Sequence, residues 1–406
     1  MDYQMRNVTA EEWPAFHALM EEVFVEEAEP EHVEFARRTA ELDRSVGVFD
    51  GPQLVATAGI YSLGLRVPGG SLPTAGVTWV TVRSTHRRRG VLTAMMARML
   101  DQAREREEPM AALWAAESVI YGRYGFGAAA YMSNLEIETG HARLTAPAPR
   151  GTCRLVDAGT AAGLLPALYD RCTADRPGTL ARSEVWWERR LHDSALGHAG
   201  GWSKRRHVLY ERDGELAGYA IFRVHGDWAD PFPANRVRVV ELIAADPDAV
   251  AGVWGYLLAI DLVTKVEANI RPLDEPLQLV LADPRRLRVG DGEELWLRLL
   301  DVPGALAGRR YRGAGAIRIG VEDAFRPEVA GVYELEVAGG GGACRRVDAE
   351  PDVSTSIEGL SALYLGSVSP LRLLAAGRLA ERRAGDALRL HDLLAWPVPA
   401  WCPEIF

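Results

Sequence analysis

The chain has 406 residues, of which 48% are hydrophobic and 25% are charged, and its formal net charge is −10 at pH 7. This composition excludes a disordered chain and predicts a globular protein of about two to three domains. The acidic balance argues against general nucleic-acid binding and favours a cationic small-molecule partner.

Targeting and redox signals point to the cytoplasm. No apolar run reaches the roughly 20 residues that a membrane-spanning helix needs, and residues 1–6 lack the layout of a secretory signal. The scattered cysteines predict reduced thiols, with no disulfide or metal site; they are Cys153, Cys172, Cys344 and Cys402.

The first part of the chain predicts a mixed unit of helices and strands. A helix is expected to begin near Ala10 and to continue to Phe24. Asp50-Gly51 is a hairpin signal between two strand-like runs. The predicted strands cover residues 45–49, 54–61, 76–82 and 110–115.

A basic turn, residues 83–90, follows the third of these strands, and apolar residues at helical spacing come after it. A helix that begins near Arg88 would present free backbone amides and the positive end of its dipole. Three arginines add charge, and Gly90 permits close approach to the backbone. The turn fits neither the triphosphatase loop nor the dinucleotide loop. It predicts a pyrophosphate site, and the alternative is a basic helix start on a solvated surface.

A second unit is expected after the Pro/Ala-rich stretch around Pro147 and Pro149, which is typical of a linker. Strands predicted over residues 219–224 and 237–243, followed by a helix, repeat the order of the first unit. The turn between the second of these strands and the helix is acidic, because it contains Asp246 and Asp248, and it would repel a pyrophosphate. We interpret this unit as a duplicated domain that has lost its cofactor site; an unrelated α/β domain is the alternative.

The last part of the chain changes pattern. Residues 316–321 and 332–337 alternate like half-buried antiparallel strands, and a glycine tract over residues 339–342 predicts a hairpin or loop. Helices are expected over residues 357–365 and 371–379. This arrangement resembles a sterol-carrier-type fold, a likeness of architecture that does not establish lipid binding.

Arg87, Gly90 and Leu92 occupy the three positions of the Arg/Gln-x-x-Gly-x-Gly/Ala motif of GNAT acetyltransferases, with Leu92 larger than usual. Three further features accompany this motif: the segments Glu117-Ser-Val-Ile-Tyr-Gly-Arg-Tyr-Gly-Phe-Gly127 and Ser361-Ala-Leu-Tyr-Leu-Gly366, and the terminal Phe406. With them, the chain resembles the Eis (enhanced intracellular survival) family of acetyltransferases over essentially its whole length.

The resemblance implies an α+β architecture with tandem GNAT-like α/β domains and a sterol-carrier-like α+β domain. It implies a catalytic GNAT domain over residues 1–140, a second, degenerate one over residues 141–288 and the sterol-carrier-like domain over residues 289–406. It also implies acetyl-CoA as co-substrate, a homo-hexamer, and acetylation of cationic amines such as aminoglycosides.

The resemblance assigns roles to particular residues. Tyr121 would be the general acid, and the C-terminal carboxylate of Phe406 the general base. Phe24 and Glu26 would face the substrate pocket, although a solvated acidic helix face is an equal explanation for most nearby glutamates. The expected acetyl-CoA site consists of the strand residues Val80, Thr81 and Val82, the pyrophosphate residues Arg87, Arg88, Arg89, Gly90, Val91, Leu92 and Thr93, and Ala116 and Glu117 near the thioester.

These roles are chemically consistent. An amine acceptor is mostly protonated near pH 7, because its pKa is ~10.4, so a base is needed; burial would raise the pKa of a terminal carboxylate above ~3.5. Amides beside Val80 and Val82 would hold the oxyanion if that strand carries a bulge. A tyrosine, with a pKa of ~10, can protonate the leaving thiolate if nearby positive charge lowers its pKa.

Two other functions remain open from the sequence. One is a non-catalytic ligand- or lipid-binding or regulatory protein, in which Leu92 marks a decaying coenzyme site. The other keeps the enzyme but makes a protein lysine the acceptor. Ile405 stands where some relatives carry an acidic residue before the final phenylalanine, which weakens the expectation of aminoglycoside substrates.

Overall fold

The structure is a computed structural model that describes residues 3–25, 28, 30–193, 200–229 and 231–406, without the side chains of residues 31 and 32. The chain divides into two compact units. One takes the chain up to Ala130 together with Glu294–Phe406, and the other is Tyr131–Glu293. Among the described residues, no helix is both long enough and apolar enough to cross a bilayer.

The elements follow one another along the chain in three groups. Up to Ala130 they are β1 (Gln4–Arg6), α1 (Trp13–Phe24), α2 (Pro30–Thr39), β2 (Val46–Asp50), β3 (Gln53–Val67), β4 (Gly70–Val82), α3 (Val91–Glu105), β5 (Met110–Trp114), α4 (Ser118–Tyr121) and β6 (Gly127–Ala128). The second unit contains β7 (Tyr131–Glu138), β8 (Thr152–Val156), α5 (Ala158–Thr173), α6 (Glu184–Leu191), β9 (Arg206–Arg212), β10 (Glu215–His225), β11 (Trp228–Ala229), β12 (Phe232–Pro233), β13 (Asn235–Ala244), α7 (Pro247–Leu258), β14 (Val263–Pro272), α8 (Leu277–Val280) and β15 (Arg288–Glu293). The rest comprises β16 (Leu295–Leu299), α9 (Val302–Ala307), β17 (Gly315–Glu322), β18 (Gly331–Ala338), β19 (Gly341–Val347), β20 (Val353–Ser356), α10 (Ile357–Leu363), α11 (Pro370–Ala375), β21 (Leu379–Glu381) and α12 (Asp386–Leu394).

The first sheet has the strand order β1-β2-β3-β4-β5-β16-β6. Strand β16 pairs antiparallel with β5 on one side and with β6 on the other, so a segment distant in sequence completes the sheet. Helix α3 covers one face, and its apolar stripes are buried as its spacing predicts. Burying each such side chain contributes about 1.5–3 kcal/mol, which makes this helix a main source of stability.

The second sheet repeats this plan, with the order β15-β7-β14-β13-β10-β9-β8. Here β13 and β14 form the parallel pair, as β4 and β5 do in the first sheet. Strand β7 is inserted next to β14, in the place that β16 takes beside β5. The repeated order agrees with the predicted duplication. Strand β7 lies within the range 1–140 expected for the first domain, but it pairs in the second sheet. The domain boundary near residue 140 stays a prediction.

A third sheet, of order β19-β18-β17-β20-β21, contains the two strands predicted over residues 316–321 and 332–337. The helix predicted over residues 371–379 is wrong in its second half. Helix α11 ends at Ala375, because Gly377 takes a positive φ of 69° and the Arg378 amide donates to the Leu373 carbonyl. Leu379 then begins β21.

A buried ion pair fixes the segment before β2 to the connection between α3 and β5. The Arg44 guanidinium donates to both Glu108 carboxylate oxygens, at 2.8 and 2.5 Å, and also to the Ser62 hydroxyl at 2.7 Å. The exposed side-chain fractions are 1% for Arg44 and 5% for Glu108. Removing one partner of such a pair strands the other charge away from water, which costs about 3–5 kcal/mol.

We therefore expect Arg44→Met to lower the free energy of unfolding by about 3–5 kcal/mol, as measured by urea denaturation. The matched control is Arg106→Met, which breaks the ion pair with Asp43 between side chains that are 44% and 68% exposed; exposed pairs contribute about 0–1 kcal/mol. Equal losses in the two variants would contradict the structural role of the buried pair.

Candidate active site

A cavity of about 750 Å³ opens where β4 and β5 separate. Their parallel pairing joins residues 74–76 to residues 110–112, and β4 then continues to Val82. The end of β4, the start of α3 and the segment after β5 line the opening. This volume is within the usual range of ligand sites, about 300–1,000 Å³.

Helix α3 begins at Val91, three residues later than predicted. Arg88 and Gly90 adopt positive φ angles of 62° and 80°, which helical backbone does not permit, so Gly90 becomes the N-cap residue. The first bond of the helix is made by the Ala94 amide to the Gly90 carbonyl, at 3.0 Å. The amides of residues 91–93 precede that bond and are therefore available to an anion in the cavity.

The three arginines of the basic turn take different positions. Arg87 and Arg88 line the cavity, and the Arg87 Nε donates to the Val82 carbonyl at 3.3 Å. Arg89 is not among the lining residues; it donates to the Tyr3 hydroxyl at 3.3 Å. The structure thus brings two of the three predicted guanidiniums to the cavity.

A β-bulge interrupts the pairing of β3 with β4, as the sequence analysis required for an oxyanion site. Thr57 faces Thr81 but Gly59 faces Thr78, so β4 carries an extra residue between them. Trp79 lies in the bulge with a φ of 54°. The Thr57 hydroxyl donates to the Trp79 carbonyl at 2.9 Å, which satisfies a backbone group that the bulge removes from the ladder.

Aromatic packing stabilises this bulge. The Trp79 ring makes edge contacts with Tyr61, Trp13 and Phe16, at centroid distances of 5.1, 5.5 and 6.0 Å. A positive φ at a bulky residue costs about 1–3 kcal/mol, and each aromatic pair contributes about 0.5–1.5 kcal/mol beyond its buried area. The three contacts can therefore hold the backbone in the bulged form.

Tyr121, the predicted general acid, is the last residue of α4 and lines the cavity while only 7% exposed. Its ring makes an edge contact with Phe126, at a centroid distance of 6.2 Å. Burial raises the pKa of Tyr121 to about 12, and the negative charge of Glu117 adds to the effect. The sequence analysis required nearby positive charge to lower this pKa, whereas the structure raises it, and the phenol remains protonated throughout the physiological range.

The C-terminal Phe406 is 8% exposed, which agrees with the expected buried terminus. Its ring edge lies 3.3 Å from the position that a Cβ would take on Gly76 of β4. Nearby, the Cys402 amide donates to Glu294 at 3.0 Å, which anchors the tail to the residue before β16. Phe406 is not among the residues that line the cavity; it packs on β4 at the point where β5 departs.

The two predicted substrate residues differ in outcome. Phe24, at the end of α1, lines the cavity and is 40% exposed. Glu26 lies outside the described residues. An ion pair of 3.0 Å between Arg83 and Glu22 ties the same helix to the basic turn.

The cavity also contains residues that the sequence analysis did not assign. The lining residues are Val23, Phe24, Val80, Thr81, Val82, His86, Arg87, Arg88, Gly90, Val91, Leu92, Thr93, Ala116, Glu117, Val119, Ile120, Tyr121, Arg123 and Tyr124. Of the six unassigned residues, four lie within residues 119–124 around Tyr121, and the other two are Val23 and His86. The signal that could have found these four residues is their position beside Tyr121, in α4 and in the turn that follows it.

In the second unit, the start of α7 corresponds to the start of α3. The Asp246 side chain caps α7 by accepting from the Ala249 amide at 3.0 Å. Arg212 donates to both Asp246 and Asp248. The helix start that is open in the first unit is therefore occupied by the chain's own carboxylates.

Comparisons with known proteins agree with this geometry. Residues 4–129 match an acetyltransferase (GNAT) domain family, residues 178–299 match another acetyltransferase (GNAT) domain family, and residues 302–403 match a sterol carrier protein domain family. The α+β architecture of two GNAT domains followed by a sterol-carrier-like domain is thus confirmed. Such domains imply acetyl-CoA as the co-substrate.

The relatives extend over the whole chain. An uncharacterized N-acetyltransferase of Streptomyces avermitilis is 38% identical, with 100% of both chains covered. The N-acetyltransferase Eis of Mycobacterium tuberculosis is 33% identical, with 96% of each chain covered. The crystal structure of Eis1 from Mycobacterium abscessus superposes with a TM-score of 0.86 at 30% identity, and covers 99% of this chain and 100% of that one. On these grounds the chain is an N-acetyltransferase and belongs to the Eis family of GNAT enzymes.

Proposed function

We propose that this protein transfers the acetyl group of acetyl-CoA directly to an amine of a cationic small molecule, such as an aminoglycoside, in a sequential reaction. The proposal is carried by one observation. A single cavity contains the amides at the start of α3, two guanidiniums, the bulged end of β4 and a buried phenol. The amides and guanidiniums would bind the pyrophosphate of the thioester, the bulged strand would stabilise the oxyanion, and the phenol would donate a proton to the leaving sulfur.

The start of α3 fits a pyrophosphate. A side chain on Gly90 would meet open space, with no atom within 4 Å of its Cβ, so the backbone is accessible to a ligand. Arg87 and Arg88 would add two charge-assisted contacts to those of the helix amides. In the second unit, Asp246 takes this place; for this reason we propose that acetyl-CoA binds the first domain alone.

The end of β4 serves the reacting carbonyl. Amides that a bulge has turned out of the ladder can donate to the negative charge that develops on the thioester oxygen. Val80 belongs to the bulge, and residues 80–82 line the cavity, so the amide beside Val80 would be the donor. Donors held in place by the strand accelerate the reaction because they need no reorganisation when the negative charge develops.

Tyr121 would donate a proton to the departing sulfur. A phenol of pKa about 12 is weaker as an acid than a thiol of pKa ~8.5, and that gap corresponds to about 5 kcal/mol. The phenol therefore acts first as a hydrogen-bond donor to the sulfur. Its proton moves to the sulfur as the carbon–sulfur bond breaks, so that coenzyme A leaves as a neutral thiol and water reprotonates the tyrosinate.

The C-terminal carboxylate of Phe406 would accept the proton of the attacking amine. Its residue is buried against β4 at the split between β4 and β5, and a carboxylate held there would be in place to act as a general base. The net charge of −10 favours the approach of cationic acceptors. The homo-hexamer, the cytoplasmic location and the domain ranges 1–140, 141–288 and 289–406 belong to the same proposal.

The proposal predicts release of coenzyme A thiol from acetyl-CoA only when a cationic amine is present. A panel of aminoglycosides, polyamines and lysine peptides would be assayed with a thiol reagent, and the product identified by its mass increase of one acetyl group. Release with lysine peptides alone would replace the small-molecule acceptor by a protein. No release with any amine would overturn the proposed reaction.

Tyr121→Phe is expected to lower kcat by about 10²–10⁴-fold, the usual contribution of general acid catalysis, with little change in KM for acetyl-CoA. The matched control is Tyr124→Phe, which removes a phenol that contacts Thr93 at 3.2 Å and should cost less than tenfold. Because the pKa of Tyr121 is raised to about 12, the acid form persists on the alkaline side, so kcat of the wild type should not fall up to pH 10. An alkaline limb below pH 9 that disappears in Tyr121→Phe would contradict this assignment.

Extending the chain by two glycines after Phe406 should abolish turnover, since it converts the terminal carboxylate into a neutral amide in a buried position. Binding of acetyl-CoA, measured by calorimetry, should be retained. The control Phe406→Leu keeps the carboxylate and a similar apolar volume, and should keep most of the activity. Full activity in the extended chain would exclude the terminal carboxylate as the base.

A further inference from the structure

The cavity contains a third guanidinium, Arg123, which neither the motif nor the proposed mechanism uses. It lines the cavity from the turn that follows α4, whereas Arg87 and Arg88 line it from the turn before α3. In the part of the chain that the structure describes, none of these three arginines forms an ion pair with a carboxylate. The lining sets these three guanidiniums against a single carboxylate, Glu117, so the cavity favours a ligand that carries several negative charges.

Arg123 is held in position before any ligand binds. Its Nε donates to the Ile120 carbonyl at 3.0 Å, and its guanidinium carbon lies 5.8 Å from the centroid of the Tyr124 ring. With Nε engaged, the two terminal nitrogens remain as a planar pair of donors, the geometry that suits a phosphate. A pre-set side chain loses less entropy on binding than a free one.

The location of Arg123 matches one end of the co-substrate. Tyr121, two residues earlier, is buried, whereas Arg123 is exposed at the rim. The same turn therefore carries a buried phenol and, two residues later, a guanidinium that is exposed to solvent. If the thioester lies beside Tyr121, as the proposed function requires, the nucleotide end of acetyl-CoA lies towards the rim.

The charge of that end accounts for the third arginine. The pyrophosphate carries about two negative charges, which Arg87, Arg88 and the α3 amides can balance. A phosphate monoester on the ribose carries a further −1.5 to −2, roughly, near neutral pH. We propose that Arg123 binds the 3′-phosphate of acetyl-CoA and makes the enzyme selective for the 3′-phosphorylated co-substrate; this inference rests on the proposed function.

The test compares acetyl-CoA with 3′-dephospho-acetyl-CoA in wild type and in Arg123→Gln, by calorimetric Kd and by KM with a saturating acceptor. Wild type should bind acetyl-CoA about tenfold more tightly than the dephospho compound, as expected for one charge-assisted contact. Arg123→Gln should weaken acetyl-CoA by about the same factor, leave the dephospho compound unchanged and leave kcat within about twofold. Arg123→Lys should recover part of the loss, since it restores the charge without the planar fork.

Two controls separate this role from others. Arg87→Gln should weaken both compounds alike, because both contain the pyrophosphate. Arg285→Gln removes an exposed arginine of the second unit and should affect neither. Equal weakening of both compounds by Arg123→Gln, no weakening of either, or no discrimination by the wild type would each overturn the inference. Failure of the wild type to bind either compound would instead overturn the proposed function itself.

Discussion

The separation of β4 from β5 beyond Gly76 is the constraint on which the site depends. Two parallel strands that stayed paired to their ends would leave no room between the start of α3 and α4. The bulge at Trp79 bends β4 away, and the aromatic cluster around Trp79 stabilises that bend. The cavity, the free strand amides and the approach to Tyr121 all follow from this single irregularity.

The loop that carries Tyr121 is fixed from the opposite side by the last part of the chain. Arg298 of β16 is buried, donates to Asp323 at 2.6 Å, and leaves so little space that a Cβ on Gly125 would lie 1.5 Å from its Nη1. A Cβ on Gly127 would lie 2.0 Å from the Glu358 carbonyl of α10. The last part of the chain thus supports the turn that follows Tyr121, and the glycines are required by close approach.

Local patterns explain what could be predicted. The stripes of α3, the Asp50-Gly51 hairpin and the alternation in β17 and β18 are encoded by residues close together in sequence, and they were found in the structure. The insertion of β16 beside β5 could not be predicted, because pairing over such a distance leaves no local periodicity. Trp79 was missed for a related reason: its positive φ is imposed by contacts with α1 and β3.

The residues at the motif positions, Arg87, Gly90 and Leu92, all line the cavity. Two other arginines depart from what the sequence predicts. Arg89 belongs to the same basic run as Arg87 and Arg88, yet the positive φ of Arg88 turns the backbone so that Arg89 meets Tyr3 instead. Arg123 stands in the Glu117–Gly127 segment, but nothing in that pattern distinguishes it, since the proposed role depends on the conformation of the turn that follows Tyr121. Spacing along the chain predicts which residues approach the helix start, and the backbone angles decide which of them face the ligand.

The two GNAT domains show how little separates an open anion site from a closed one. Both sheets carry a bulge on the equivalent strand, on β4 opposite residues 57–59 of β3 and on β13 opposite residues 221–222 of β10. The N-cap residue of α3 is Gly90, which has no side chain to accept a hydrogen bond from the helix amides. The N-cap residue of α7 is Asp246, whose carboxylate accepts such a bond. A carboxylate at the N-cap stabilises its helix by about 0.5–2 kcal/mol. The second domain therefore gains helix stability from amides equivalent to those that the first domain leaves available for a ligand.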